Sequence, residues 1–306
     1  PFVQAHRFVD TYLYELVDGE AVPFPDAETQ PDLKFVFGMT ADEQGRLWLT
    51  SPATLDRERT RVQAFDIATG ERLEDHEFEP GVARFAQDLR ISADGETMYM
   101  ADTGAFHFTE ASLLVVDLND WSVETRLAGH PSTQPQNYYI ETDHGPHRIG
   151  GGLITFAVGV DGIALSPDDA WLYYATMTHD TLYRVPTALL RDPSVDDAAL
   201  AEAIETVGTK PLSDGIETDA EGRVLVTDVE HGALVRISPD GKLETVFRDP
   251  GVVWSDGVSV APNGDIYVTD SAIPSYLDPL LRPPRRDVLE AHPPYPLLRV
   301  PAGQAP

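Results

Sequence analysis

Five stretches of this chain repeat one pattern, and that repetition limits the fold more than any other feature. They are VFGMTADEQGRLWLTS from Val36, AQDLRISADGETMYMAD from Ala86, VDGIALSPDDAWLYYAT from Val160, SDGIETDAEGRVLVTD from Ser213 and SDGVSVAPNGDIYVTD from Ser255. Each reads as an apolar-alternating strand, a tight turn such as Asp94-Gly95, Glu221-Gly222 or Asn263-Gly264, and a second strand. An Asx-Gly pair between alternating runs is a strong local hairpin signal. Third strands follow at 61–67, 112–118, 181–186, 233–238 and 296–301, and fourth strands such as 122–127 and 242–247 come after some of them. Four antiparallel strands recurring about every 40–55 residues describe a β-propeller blade.

The N-terminal YLYEL (12–16) and the turn Asp18-Gly19 supply a partial sixth unit. The expectation is an all-β, six-bladed β-propeller with four-stranded antiparallel blades, the first incomplete at the N-terminus. Residues 1–306 make one domain, with blades near 1–30 (partial), 36–78, 86–127, 160–207, 213–248 and 255–301. The 73 residues from Asp88 to Asp161 exceed the period because of a Pro/His/Gly-rich stretch, 129–159, read as a long loop forming a mobile lid over one face. Helix is expected once, at 193–206, with Ser194 as its cap.

Charge narrows the partners. The net charge is −29, from 51 acidic and 22 basic residues, and only Lys34, Lys210 and Lys242 are lysines. So negative a surface repels nucleic acid and anionic lipid and suits high salt, where screening relieves self-repulsion. No apolar run approaches the roughly 20 residues that span a bilayer, so a soluble protein without membrane insertion is expected. Cysteine is absent, which excludes disulfides, thiol nucleophiles and zinc–thiolate sites. The chain opens PFVQAHRF, without Met or a charged-then-apolar leader. A segment ahead of Pro1 is expected, and the compartment stays open, with an extracytoplasmic setting favoured.

Chemistry is expected where the innermost strands begin. Asp161-Gly162, Asp214-Gly215, Asp256-Gly257 and Gln87-Asp88 all stand there. Glycine allows backbone to approach closely at a crowded axis. Carboxylates converging on one axis repel unless a cation or protons intervene, and hard oxygen ligands suit Ca²⁺ or another divalent ion. Asp88, Asp161, Asp214 and Asp256 are therefore the candidate metal ligands. The plainer alternative is that each Asp bonds its own local amides. His107, His179 and His231 follow these aspartates by 19, 18 and 17 residues, before the third strand, which brings them to the same rim. Asp102, Asp228 and Asp270 end the second strands and are placed to orient a histidine. Asp214, Asp228 and His231 are the candidate catalytic groups. His107, His179, His144, His147 and Trp254 are candidate ligand contacts, with Tyr139 and Phe156 as further apolar ones. Asp143, His144 and His147 in YYIETDHGPHRIGGG (138–152) also have the spacing of a weak metal clip. No Gly-x-Ser-x-Gly elbow occurs.

The stretches DGIALSPDDAWLYYATMTHDTLYRVPTALLRD (161–192), SDGIETDAEGRVLVTDVEHGALVRI (213–237) and WSDGVSVAPNGDIYVTD (254–270), with AHRFVDTYLYELVDGEAVPFP (5–25), resemble bacterial members of the major royal jelly protein/Yellow family. That resemblance implies a six-bladed propeller with half a blade missing. Insect relatives include pigment-pathway proteins linked to dopachrome conversion, nutritive proteins and salivary binders of biogenic amines. More distantly, the pattern is similar to gluconolactonase/senescence-marker, paraoxonase and strictosidine synthase propellers. In the lactonases a Glu, an Asn and an Asp hold a divalent metal. By position Asp161 takes the Asn place and Asp214 the Asp place, while the Glu would fall in the missing half-blade.

Three functions follow as expectations. The first is metal-assisted hydrolysis of a lactone or small ester at the channel mouth. The second is a non-catalytic site for an amine or sugar-like small molecule. The third, a dopachrome-type isomerase, rests on the resemblance alone.

Overall fold

The computed structural model describes residues 2–4, 12–33, 35–54, 57–104, 108–143, 145–149, 154–276 and 296–303. Among the described residues, six sheets of three or four consecutive antiparallel strands make up the fold, that of a six-bladed β-propeller. They fall into two compact units.

The first unit comprises Pro1–Asp102 and Leu113–Thr125. Its opening sheet has three strands, β1 (Phe2–Gln4), β2 (Leu13–Val17) and β3 (Glu20–Pro23), as expected of an incomplete blade. A 3₁₀ turn (Gln30–Asp32) leads to β4 (Gly38–Ala41), β5 (Arg46–Ser51), β6 (Arg61–Asp66) and β7 (Arg72–Glu77). The third sheet holds β8 (Ala86–Ile91), β9 (Thr97–Asp102), β10 (Ser112–Asp117) and β11 (Val123–Arg126). Trp48, Val62 and Ala64 pack with Leu89, Met98, Met100, Leu114 and Val116, while Leu47, Leu49 and Phe65 pack with Leu13, Phe24 and Leu33. Alternate residues of β5 thus serve neighbours on opposite faces, as the period of two requires.

The second unit comprises Thr103–Ser112 and Arg126–Pro306. Two short hairpins, β12 (Glu141–Thr142) with β13 (Gly145–Pro146) and β14 (Arg148–Ile149) with β15 (Ile154–Thr155), occupy the long loop. Next come β16 (Val160–Leu165), β17 (Trp171–Thr176), β18 (Thr181–Pro186), helices α1 (Thr187–Arg191) and α2 (Asp197–Glu202), and β19 (Glu205–Thr209). The following sheet holds β20 (Ile216–Thr218), β21 (Val224–Asp228), β22 (Ala233–Ile237) and β23 (Leu243–Arg248). The last has β24 (Ser255–Val260), β25 (Ile266–Asp270) and β26 (Leu297–Val300), with α3 (Ile273–Tyr276) between the latter two. Val224 and Val226 pack toward Ala164, Tyr173 and Ala175, whereas Leu225 packs toward Val258, Ile266 and Val268. The middle sheet is therefore buried on both faces.

The turn chemistry matches the sequence. Gly222 adopts φ +74° and donates its amide to Asp219 O at 2.9 Å, closing the β20–β21 hairpin. The Asp219 carboxylate accepts the amides of Glu221 and Arg223. The helix differs from expectation. The cap of α2 is Asp196, directly before the first helical residue, and it accepts the Ala199 amide at 2.9 Å; the Ser194 hydroxyl instead donates to Asp192 at 2.6 Å. Residues 205–209 pair with β18 as an outer strand instead of continuing the helix.

The described residues of 129–159, expected as a mobile lid, make backbone and apolar contacts with the rest of the second unit. Backbone bonds tie Gln136 N to Thr178 O (2.9 Å), Asp143 N to Glu230 O (2.8 Å) and Met177 N to Gly159 O (3.0 Å). Ile140 is buried with Met177, Leu212, Val229 and Trp254, and Phe156 and Val158 pack on them. Among the described residues no helix is long and apolar enough to cross a membrane.

Candidate active site

In the second unit the first strands of successive sheets lie against one another. A Cβ on Gly162 would stand 2.8 Å from Asp214 O, and one on Gly215 would stand 2.6 Å from Asp256 O. Real Cβ atoms do not approach so closely, so only glycine allows the preceding aspartates to sit side by side on adjacent strands. Asp161 is buried beside a bulge between Val160 and Gly162, and Asp256 lies in a similar irregularity between Ser255 and Val258. Burial, reinforced by the charge of Asp270, pushes the Asp256 carboxyl above the usual carboxylate range.

Asp214 is held from two sides. Its amide donates to Thr227 Oγ1 at 3.0 Å, and its Oδ2 accepts the indole Nε1–H of Trp254 at 2.7 Å. Trp254 was expected to touch a ligand, but it is 0% exposed, and its polar edge serves Asp214 instead. Asp270 carries the backbone on which that indole sits, accepting the amides of Val253, Trp254 and Ala272 at 2.9 Å each. His147 and Phe156, both from the long loop, close on the indole at ring-centroid distances of 5.1 and 6.2 Å.

Two of the carboxylates expected at a metal ion have other partners. Asp88, in the first unit, accepts from Arg90 Nη1 at 2.6 Å and from the Leu89 amide at 2.8 Å. Asp143, expected in a metal clip, pairs with Arg248 at 2.7 Å. His144 and His107 lie outside the described residues. Among the described residues, no group of three or more His, Asp or Glu side chains is placed to hold a metal ion. Those residues alone do not fit a divalent cation, which requires several oxygens converging at 2.3–2.6 Å for Ca²⁺.

The histidines divide by environment. His231 Nδ1 lies 2.9 and 3.0 Å from the two carboxylate oxygens of Asp228. An ionised carboxylate only accepts, so Nδ1 carries a proton, and in the neutral imidazole Nε2 then presents its lone pair. The His231 side chain is 46% exposed, while that of Asp228 is largely buried and also accepts the amides of Glu230 and His231 at 3.2 Å. The two residues, three apart in sequence, thus meet side chain to side chain. The pair shares one end of its sheet with Asp214, since Val229 N bonds Leu212 O at 3.1 Å there.

His179, by contrast, is enclosed. Its Nδ1 accepts the Thr181 amide at 3.1 Å, and its Nε2 faces the Gln136 amide group at 2.9 Å and the Tyr183 hydroxyl at 3.5 Å. Burial lowers its pKa, and both nitrogens are taken, so it fastens the long loop to the β17–β18 turn and presents no nitrogen to a ligand. His147 is 6% exposed, and burial pulls its imidazole down to about 4. Its Nε2 has no hydrogen-bond partner, and the ring packs on Trp254 and Phe156. Of the other aromatics considered, Tyr139 is 63% exposed and Phe156 half-buried.

Sequence reasoning missed Lys210. It is 3% exposed, and its Nζ donates to Pro211 O and Ser213 Oγ, both at 3.0 Å. Burial draws the ammonium down to about 7, against the opposing pull of Asp180, Asp161 and Asp228. The available signal was its position: one of three lysines in a strongly acidic chain stands four residues before Asp214.

Comparison with known proteins agrees with this architecture. Over 104 residues, 33% of this chain, it is 38% identical to the strictosidine synthase-like 7 protein of Arabidopsis thaliana. Over 136 residues, 43% of this chain, it is 32% identical to a 6-deoxy-6-sulfogluconolactonase of Pseudomonas putida. The matches span 26% and 43% of those relatives' own lengths. A gluconolactonase structure from Xanthomonas campestris superposes with a TM-score of 0.55 at 14% identity, covering 85% of this chain and 75% of that one, a likeness of fold alone. The family model for major royal jelly protein matches residues 35–277, well over half of the 306, and the chain belongs to that family.

Proposed function

We propose that this protein hydrolyses a lactone or small ester at the mouth of the propeller channel. The observation that carries the reading is the Asp228–His231 pair: a largely buried carboxylate fixes the tautomer of a half-exposed imidazole, leaving Nε2 as the acceptor. The partial likeness to a sulfogluconolactonase supports lactone as the substrate class.

In this reading, His231 Nε2 takes a proton from water as the water oxygen bonds to the substrate carbonyl carbon. The ring C–O bond then breaks, and the imidazolium returns the proton to the departing oxygen, giving a hydroxy acid. Asp214, two residues before β20, orients the substrate by accepting from one of its hydroxyls. No step runs through a metal ion.

The test is a panel of γ- and δ-lactones and aryl esters, assayed after chelation and again with added Ca²⁺. Turnover by the native protein, lost in His231→Ala and Asp214→Ala, is the expected result. A native protein inactive on the whole panel in both conditions refutes the reading. Activity that appears only with Ca²⁺ replaces the metal-free form with the metal-assisted one.

A further inference from the structure

The bond between Trp254 and Asp214 joins residues 40 apart in sequence, on neighbouring sheets. An indole N–H only donates, and a charge-assisted bond of 2.7 Å to a carboxylate is among the stronger kinds. The donor is itself immobilised. The Trp254 backbone is held by Asp270, and the indole is buried with Ile140, Met177, Leu212 and Val229. His147 meets it at an interplanar angle of 59° and Phe156 at 83°. The Asp214 carboxylate is thus fixed by a group that has little freedom to move.

We infer that Trp254 is a positioning residue for Asp214: it holds the carboxylate in the orientation in which Asp214 receives substrate. It touches no substrate, because it is fully buried, and it acts through the Nε1–Oδ2 bond alone. This rests on the lactone-hydrolase reading for its kinetic consequence but not for its structural one. A purely packing tryptophan would lower stability when replaced without selectively impairing Asp214.

The experiment combines kinetics with a direct view of the bond. Trp254→Phe keeps an aromatic ring and removes the donor. It is expected to lower kcat/KM by about 10- to 100-fold, with KM rising as well as kcat falling because Asp214 receives substrate. In an Asp214→Asn background the same change adds little further loss, the signature of two residues acting as one. Separately, sequential assignment of the native protein identifies the Trp254 indole N–H resonance. In Asp214→Asn, which retains the indole, that resonance moves and its hydrogen exchanges faster. Equal losses in both backgrounds, or a resonance unmoved by Asp214→Asn, overturn the inference. The Asp214→Asn spectrum decides if Trp254→Phe does not fold, and it stands whether or not a lactone is turned over.

Discussion

The amide of Gly215 donates to the carbonyl of Asp256 at 3.1 Å, and a Cβ on Gly215 would stand 2.6 Å from that same oxygen. The starts of β20 and β24 are thus in backbone contact, with no room for a side chain between them. Gly215→Ala is expected to destabilise the protein by about 1–3 kcal/mol, because the clash is with main chain that must shift as a whole. Gly257→Ala, whose methyl would meet only the Thr269 hydroxyl at 3.2 Å, should cost less. Denaturant unfolding of the two variants checks the order. Equal stability would mean the two first strands can separate freely.

What was legible in the sequence is what depends on near neighbours. Asx-Gly turns and alternating strands announce each hairpin locally, and Asp228 with His231 meet across a single turn. The Trp254–Asp214 bond was not legible, since it exists only once two sheets are packed and nothing in either segment announces the other. The docking of 129–159 was missed for a related reason. Its Pro, Gly and His content reads as loop, yet Ile140, His147 and Phe156 find an apolar partner in Trp254, more than a hundred residues later for the first two. The cap of α2 was misassigned because Ser194 and Asp196 are equally good caps by type. Only the point at which the helix starts, Asp197, decides between them.

His147 makes the docked segment sensitive to acid. Its folded pKa is about 4 against an ordinary 6.5, the result of burial. Between those values the unfolded chain binds a proton that the folded one excludes, so the stability present above pH 6.5 is lost progressively as pH falls toward 4. His147→Phe keeps the ring packing and cannot be protonated. Thermal midpoints measured from pH 7 to 4 should therefore fall less steeply for this variant than for the native protein. Parallel curves would show that His147 titrates normally in the fold.

Lys210 acts at the other end of the pH scale. Burial places its folded pKa near 7 against 10.5. In that window the unfolded chain again binds more protons, so this residue makes stability rise with pH from about 7 to 10.5. Lys210→Met removes the charge, and with it that rising limb. It also leaves Ser213 Oγ and Pro211 O without the Nζ donor, a loss of about 1–3 kcal/mol for a buried polar group. The variant should therefore be less stable than the native protein at pH 10, with the gap narrowing toward pH 7. Urea unfolding at fixed ionic strength at the two pH values measures it. A gap independent of pH would place an ordinary lysine pKa in the fold.

Asp228 sets the proton on His231, and its replacement by asparagine separates that role from simple packing. The asparagine carbonyl oxygen can still accept the Glu230 and His231 amides that Asp228 now binds. Its NH₂ group then faces His231 Nδ1 and donates to it, which moves the imidazole proton to Nε2. A ring protonated at Nε2 cannot take a proton from water, so kcat on a lactone substrate should fall by about 10²–10⁴-fold. KM should change little, because neither residue is assigned to substrate binding. His179→Gln serves as the contrast: it breaks a buried fastening between Gln136 and the β17–β18 turn, so it should lower the thermal midpoint and leave kcat near the native value. Steady-state kinetics and melting curves on the two variants test this division. If Asp228→Asn keeps native kcat, the base lies elsewhere; if His179→Gln loses activity at native stability, the chemistry belongs to the enclosed histidine.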